Sequence, residues 1–397
     1  MKTLLLLAGL AARAAAAPYV PVVTPDGATM PWTMDRGVKV FKITVGPCEH
    51  EVAPGMTINA WCYNGRTPGP TIEAVEGDRV RFLVTNHLPE GTAVHWHSLI
   101  LPNGMDGVAG LTQPAIPPGK TFVYEFTLRQ HGTFMYHSHG DEMVQIALGA
   151  MGFFIIHPKK PEEPRVDRDF AIMLNEWYVP PGGKTPDPSV MTDFNLFTFN
   201  SRAYPGTAPL LVKRGDRVRI RFGNVGQESH PIHLHGYRFT VTGIDGGDVP
   251  KSAQWTATTV DVSPGETRDV EFVADADGDW PLHCHRRHHP MNAMGHGVAN
   301  MLGVDQSSAA AQVRGQLPQF MPMGRTGMGE MSDMAMRLPE NTLPMMGGEG
   351  QFGPIGMGGM FTVLKVRDKL PADGSDPGWY HFPKGTVAHE WKGDNDE

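Results

Sequence analysis

"PTIEAVEGDRVRFLVTN" (70–86) and "PLLVKRGDRVRIRFGNV" (209–225) lie far apart in the chain and share one pattern. Each holds two runs rich in β-branched and apolar residues. Between the runs sits a Gly-Asp pair, Gly77–Asp78 in one and Gly215–Asp216 in the other. Glycine punctuates a turn, and the flanking alternation marks strands. The stretch therefore predicts strand–turn–strand, and its repetition predicts two domains of one plan.

Working outward, the first copy is embedded in further strand-like runs: "VKVFKITV" (38–45), "TFVYEFTL" (121–128) and "GFFIIHP" (152–158). The second copy is followed by "RFTVTGI" (238–244) and "TRDVEFVA" (267–274). Turn residues separate them, and 47 glycines and 35 prolines supply many such turns. The fold class is all-β: a sandwich over 38–157, a charged linker "PKKPEEPRVD" (158–167), and a second sandwich over 168–305. From 306 to 397 the composition shifts to Met, Gly and Pro, with "GMFTVLKVR" (359–367) reading as one more strand.

A chain of 397 residues with 40% hydrophobic content can bury a sizeable core. A formal charge of −8 leaves no electrostatic footprint for nucleic acid or an anionic membrane. Residues 1–17 read as a signal peptide: Lys2, then "LLLLAGLAA" (4–12), then small residues suited to cleavage. The mature protein is expected to start near Pro18 and to be exported, periplasmic or secreted. No other run is long enough to span a bilayer. In an oxidising compartment Cys48 and Cys62 can form a disulfide. Cys284 is then left over, and it lies in "WPLHCHRRHHPMNAMGHG" (280–297), the densest histidine cluster of the chain.

The 18 histidines are not scattered. Four H-x-H pairs occur: His95/His97, His137/His139, His233/His235 and His283/His285. Chance gives about one such pair in a chain of this composition. On a strand, residues i and i+2 face the same way, roughly 7 Å apart, so each pair offers two imidazoles on one face. Eight imidazoles are too many for one ion and suit a group of adjacent metals. Cys284 points away from His283 and His285. A thiolate with two histidines and a weak axial methionine is the blue-copper donor set. His230, His289 and Met294 fit those places, and Cys284 then links that copper to the histidines on its other face. His288, Met291 and His296 fit no ligand spacing as well.

At these residues the chain resembles the multicopper oxidases. The motifs are "HWHSLILPNGMDG" (95–107), "YHSHGDEMVQIALGAMG" (136–152), "HPIHLHGYRF" (230–239) and "HCHRRHHPMNAM" (283–294). The resemblance covers about 38–305 and implies two cupredoxin-like Greek-key domains with four coppers per functional unit. It implies that His230, Cys284, His289 and Met294 hold a type 1 copper and that His95 and His233 hold a type 2 copper. His97, His137, His139, His235, His283 and His285 would hold a type 3 pair. The pattern is similar to two-domain, laccase-like members with type 1 copper in the second domain. Where many relatives place an acid after the last H-C-H, this chain has Arg286 and Arg287. Asp106, in "MDG", is the remaining candidate for proton handling, or else only caps a turn.

The resemblance implies one-electron oxidation of a phenol or cuprous ion, coupled to reduction of dioxygen to water. With only two domains, the two sets of histidines are expected to meet across subunits in a homotrimeric ring. Two other readings compete. A copper nitrite reductase would need one thiolate site and one three-histidine site, not eight paired imidazoles. A copper-sequestering protein without turnover would rely on the Met-rich segment 321–360 and need no intact type 3 set. Thioethers select cuprous over cupric copper. They are also flexible gap-fillers, so that segment reads equally as an adaptable cover.

Overall fold

The computed structural model describes residues 19–161, 163–292, 311–312, 315–316, 340–343 and 347–391. The expected signal peptide, Met294, His296 and the stretch 321–339 lie outside them. The described chain is nearly all strand, and none of its helices is long and apolar enough to cross a membrane.

The repeated stretch folds as expected, and its turn explains the sandwich. In the first copy Gly69–Val75 belongs to one sheet and Arg79–Asn86 to the other. In the second copy Leu210–Lys213 and Arg217–Asn224 divide in the same way. The turn between them must carry the chain from sheet to sheet in three residues. Gly77 and Gly215 do so at φ +93° and +92°, a conformation that costs a residue with a Cβ. The following aspartate closes the turn: Asp78 accepts from the Val75 N–H (2.8 Å) and Asp216 from the Lys213 N–H (2.9 Å).

In the first sandwich a four-stranded sheet runs in the order Gly69–Val75, Met151–His157, Gly132–Ser138, Val94–His97. Its counterpart in the second runs Leu210–Lys213, Phe361–Arg367, Gly278–Cys284, His230–Leu234, and adds Thr259–Val262. All four histidine pairs thus begin on, or just past, two equivalent pairs of neighbouring strands. The strand read from "GMFTVLKVR" is Phe361–Arg367, and it lies inside the second sandwich, hydrogen-bonded to Gly278–Cys284. In the first sandwich the equivalent step spans residues 139–150. In the second it spans 285–360, so the Met-rich stretch is an excursion within this domain.

Each sandwich encloses its own core, around Phe82, Trp96 and Phe154 in the first and Phe222, Leu234 and Leu282 in the second. A third cluster joins them, with Met135 and Phe153 of the first against Ala171, Met173 and Leu196 of the second. The fully buried Arg221 guanidinium crosses this junction. It meets Asp169 through two bonds of 2.8 Å and Thr133 of the other sandwich at 2.7 Å. Cys48 and Cys62 form a disulfide between neighbouring strands. Cys284 is free and buried.

Candidate metal centres

Strand parity builds the sites. In Val94–His97 the buried residues are Val94 and Trp96, so His95 and His97 face out of the core. Antiparallel pairing sets His95 opposite His137. The four rings His95, His97, His137 and His139 then group with centroid separations of 5.3 to 6.4 Å. The second sandwich repeats the arrangement, with His233 opposite His283. His233, His235, His283 and His285 group at 4.8 to 5.6 Å.

Carbonyl partners fix which ring nitrogen faces the group. A carbonyl can only accept, so the nitrogen beside it carries the proton and the other offers a lone pair. His95 Nδ1 donates to the Asp106 carbonyl (2.8 Å), His137 Nδ1 to Ser138 (2.9 Å) and His283 Nδ1 to Cys284 (2.8 Å). His233 Nδ1 donates to Thr258 (2.7 Å), while His97 donates from Nε2 to Gly265 of the second sandwich (2.9 Å). Ring nitrogens converge in both groups: the freed His97 Nδ1 lies 3.2 Å from the freed His137 Nε2, and the freed His283 Nε2 lies 3.1 Å from His235 Nε2. His139 departs from this pattern, since its Nε2 meets Glu142 at 3.0 Å. Burial pushes His137 down to about 3 and His283 down to about 4, so both stay neutral and able to ligate.

The third group faces the core. On His230–Leu234, His230 shares the inner face with Ile232 while His233 points out. On Gly278–Cys284, Leu282 and Cys284 point in and His283 lies on the opposite face. Cys284 Sγ lies 3.3 Å from His289 Nδ1 and 3.9 Å from His230 Nδ1, and the two nitrogens are 3.0 Å apart. All three residues are fully buried. Desolvation pushes the Cys284 thiol up to about 12 and His289 down to about 2. Neutral His289 therefore presents a lone pair to a thiol that a bound cation would deprotonate.

Three contributors carried no recognised signal in the sequence. Glu176 accepts from His230 Nε2 (3.2 Å) and Glu228 from His289 Nε2 (3.1 Å). Such carboxylates orient a ligand histidine and raise its basicity. Phe197 stacks on His289 at 4.0 Å, and His288 stands edge-on to Phe197 at 5.5 Å. Glu228 lies two residues before His230 and was findable by proximity; Glu176 and Phe197 arrive from distant strands. Asp106 ends the short helix Asn103–Met105, with its carboxylate 3.6 Å from His95 Nδ1. Arg286 pairs with Glu228, and its neighbour Arg287 is exposed.

A buried thiol with two imidazoles, beside two outward-facing imidazole quartets on paired sandwiches, forms a donor set suited to copper. Residues 44–161 and 180–302 both match multicopper oxidase domains, and the chain belongs to the multicopper oxidase family. It is 41% identical over 137 residues to a copper resistance protein A homolog of Pseudomonas syringae pv. tomato, covering 34% of this chain and 23% of that protein. It is 32% identical over 246 residues to Laccase-1 of Cryptococcus neoformans var. grubii, covering 53% and 38%. The chain thus matches about a quarter of the length of the first and under two-fifths of the second. The blue copper oxidase of Nitrosomonas europaea superposes with a TM-score of 0.62 at 26% identity, covering 82% of this chain and 85% of that one.

Proposed function

We propose that the protein is a laccase-like oxidase that takes electrons singly from a phenol or cuprous ion and reduces dioxygen to water. His230, Cys284, His289 and Met294 would hold the type 1 copper. His95 and His233 would hold the type 2 copper. His97, His137, His139, His235, His283 and His285 would hold the type 3 pair. Copper at these places supplies one-electron chemistry at the buried thiol and four-electron oxygen chemistry at the imidazoles.

The observation that carries this reading is the position of Cys284. Its side chain enters the buried pocket, while its neighbours His283 and His285 stand in the second quartet. The His283 Nδ1 bond to the Cys284 carbonyl adds a direct contact to the covalent path between the two faces. Asp106 stands beside His95, where its carboxyl can deliver protons to the oxygen site. A nitrite reductase has no use for two complete quartets.

Among the described residues, no ring contact joins the first quartet to the second. We therefore assign the complete oxygen site to a subunit boundary in a homotrimer, the quartet of one chain meeting that of the next. Export through the N-terminal segment and a role in copper homeostasis fit this reading. The copper resistance relative favours cuprous ion as a reductant. Oxygen consumption by the copper-loaded protein tests it, with a phenol and with cuprous ion in separate runs. Copper binding with no oxygen uptake on either substrate leaves sequestration without turnover.

A further inference from the structure

The two histidines of the thiolate pocket are backed by carboxylates whose charges are handled differently. Glu176 is almost wholly buried, and its charge is met by backbone N–H groups of Gln227 and Glu228, the latter at 3.0 Å. Glu228 has a cation instead: Arg286 donates to the same Oε2 that accepts from His289 Nε2. Glu228 is well held. Its backbone N–H goes to Glu176, and its carbonyl accepts from Asn224 Nδ2 at 2.8 Å. The side chains grade from fully buried His289, through Glu228 at 16% exposure, to Arg286 at 42%. The chain from pocket to solvent is thus Cys284, His289, Glu228, Arg286.

Resting on the type 1 copper reading above, we infer that Arg286 is a positioning residue that sets the reduction potential of that copper by offsetting the charge of Glu228 on His289. A carboxylate on the far nitrogen of a ligand imidazole makes it a stronger donor and favours the more highly charged, cupric state. A guanidinium on that carboxylate withdraws part of this effect and favours the cuprous state. Arg286 occupies the step just after His285, so the loop that supplies the thiolate also supplies the charge that tunes its partner histidine. The pair is partly solvated, so its influence falls with ionic strength.

The test is potentiometric titration of the blue band in the copper-loaded full chain. Arg286→Gln lowers the midpoint potential, Glu228→Gln raises it, and Arg286→Lys stays close to the unmodified protein. In a double-mutant cycle the effect of Arg286→Gln shrinks when Glu228 is already Gln, because the route through the carboxylate is gone. A residue that merely braced the loop would shift both single variants in one direction. That result overturns the inference, as do unchanged potentials in blue variants. Loss of the blue band in both Arg286→Gln and Arg286→Lys would mean that the residue builds the pocket, and would overturn it too. An unmodified protein that never turns blue on copper loading fails the underlying copper reading instead.

Discussion

Cys284 is the residue on which the electronic argument turns. Cys284→Ser keeps the size of the side chain and removes the soft donor. The variant should lose the blue band and retain the electron paramagnetic resonance signal of a type 2 copper, since His95 and His233 are untouched. A blue Cys284→Ser protein would sink the assignment. Asp106→Asn is a similarly narrow change: the backbone carbonyl that orients His95 remains, and only the ionisable group is lost. Steady-state oxygen reduction should fall roughly 100-fold or more with copper content unchanged, the scale of a lost proton-transfer group. Unaltered turnover would make Asp106 a turn residue. The buried histidines also set a pH dependence. His137, His283 and His289 have folded pKa values pushed below the ordinary 6.5 by burial. Below about pH 6.5 the unfolded chain binds protons that the folded apoprotein refuses, so stability rises with pH and is lost as pH falls. The thermal midpoint of the metal-free protein should therefore drop between about pH 7 and about pH 5. A flat profile would contradict the burial of these rings.

At the scale of elements, the loop 98–107 shows how tightly the first quartet is braced. Gly107 sits at φ +87°, and a Cβ there would lie 1.8 Å from the Val94 carbonyl. Gly107→Ala must displace either the Asp106 carbonyl or the strand that carries His95. A loss of about 1–3 kcal/mol from strain alone is expected, with weaker copper retention in the first sandwich. Urea unfolding and metal analysis would check both. Legibility follows the same physics. Strands with one wet face, such as Arg79–Asn86, betray themselves by alternation, and the H-x-H pairs announce two outward imidazoles each. Arg168–Trp177 is buried on both faces and shows no alternation, so its sequence carries no strand period. Glu176 lies on that same strand, so the carboxylate behind His230 was hidden with it. No local pattern relates Glu176 to a histidine 54 positions away; only the sheet brings them together.

For the whole molecule, the place of Phe361–Arg367 changes what a deletion should remove. Met360 is buried, and its N–H bonds to the His289 carbonyl. Asn341 ties the returning chain to Thr57 and Gly183. Removing 321–339 alone should therefore leave a folded, blue protein, with cuprous oxidation lowered and oxidation of large phenolic dyes raised. Rates on both substrates unchanged from the intact protein would leave that stretch without a part in choosing the reductant. Cutting the chain at 305 is a different experiment, since it strips Gly278–Cys284 of a hydrogen-bonded neighbour, and insoluble, colourless protein is expected. The same strand also orders events in time. A chain emerging N-terminus first can close its first sandwich once His157 is out, but the second must wait for Arg367. The closing excursion is roughly six times longer than its counterpart, which adds about 1.6 kcal/mol of closure entropy before any contact repays it. The pocket around Cys284 is accordingly the last part of the protein to exist. Until the final strand docks, the thiol lacks the cover that Met360 and Leu364 give it in the folded core.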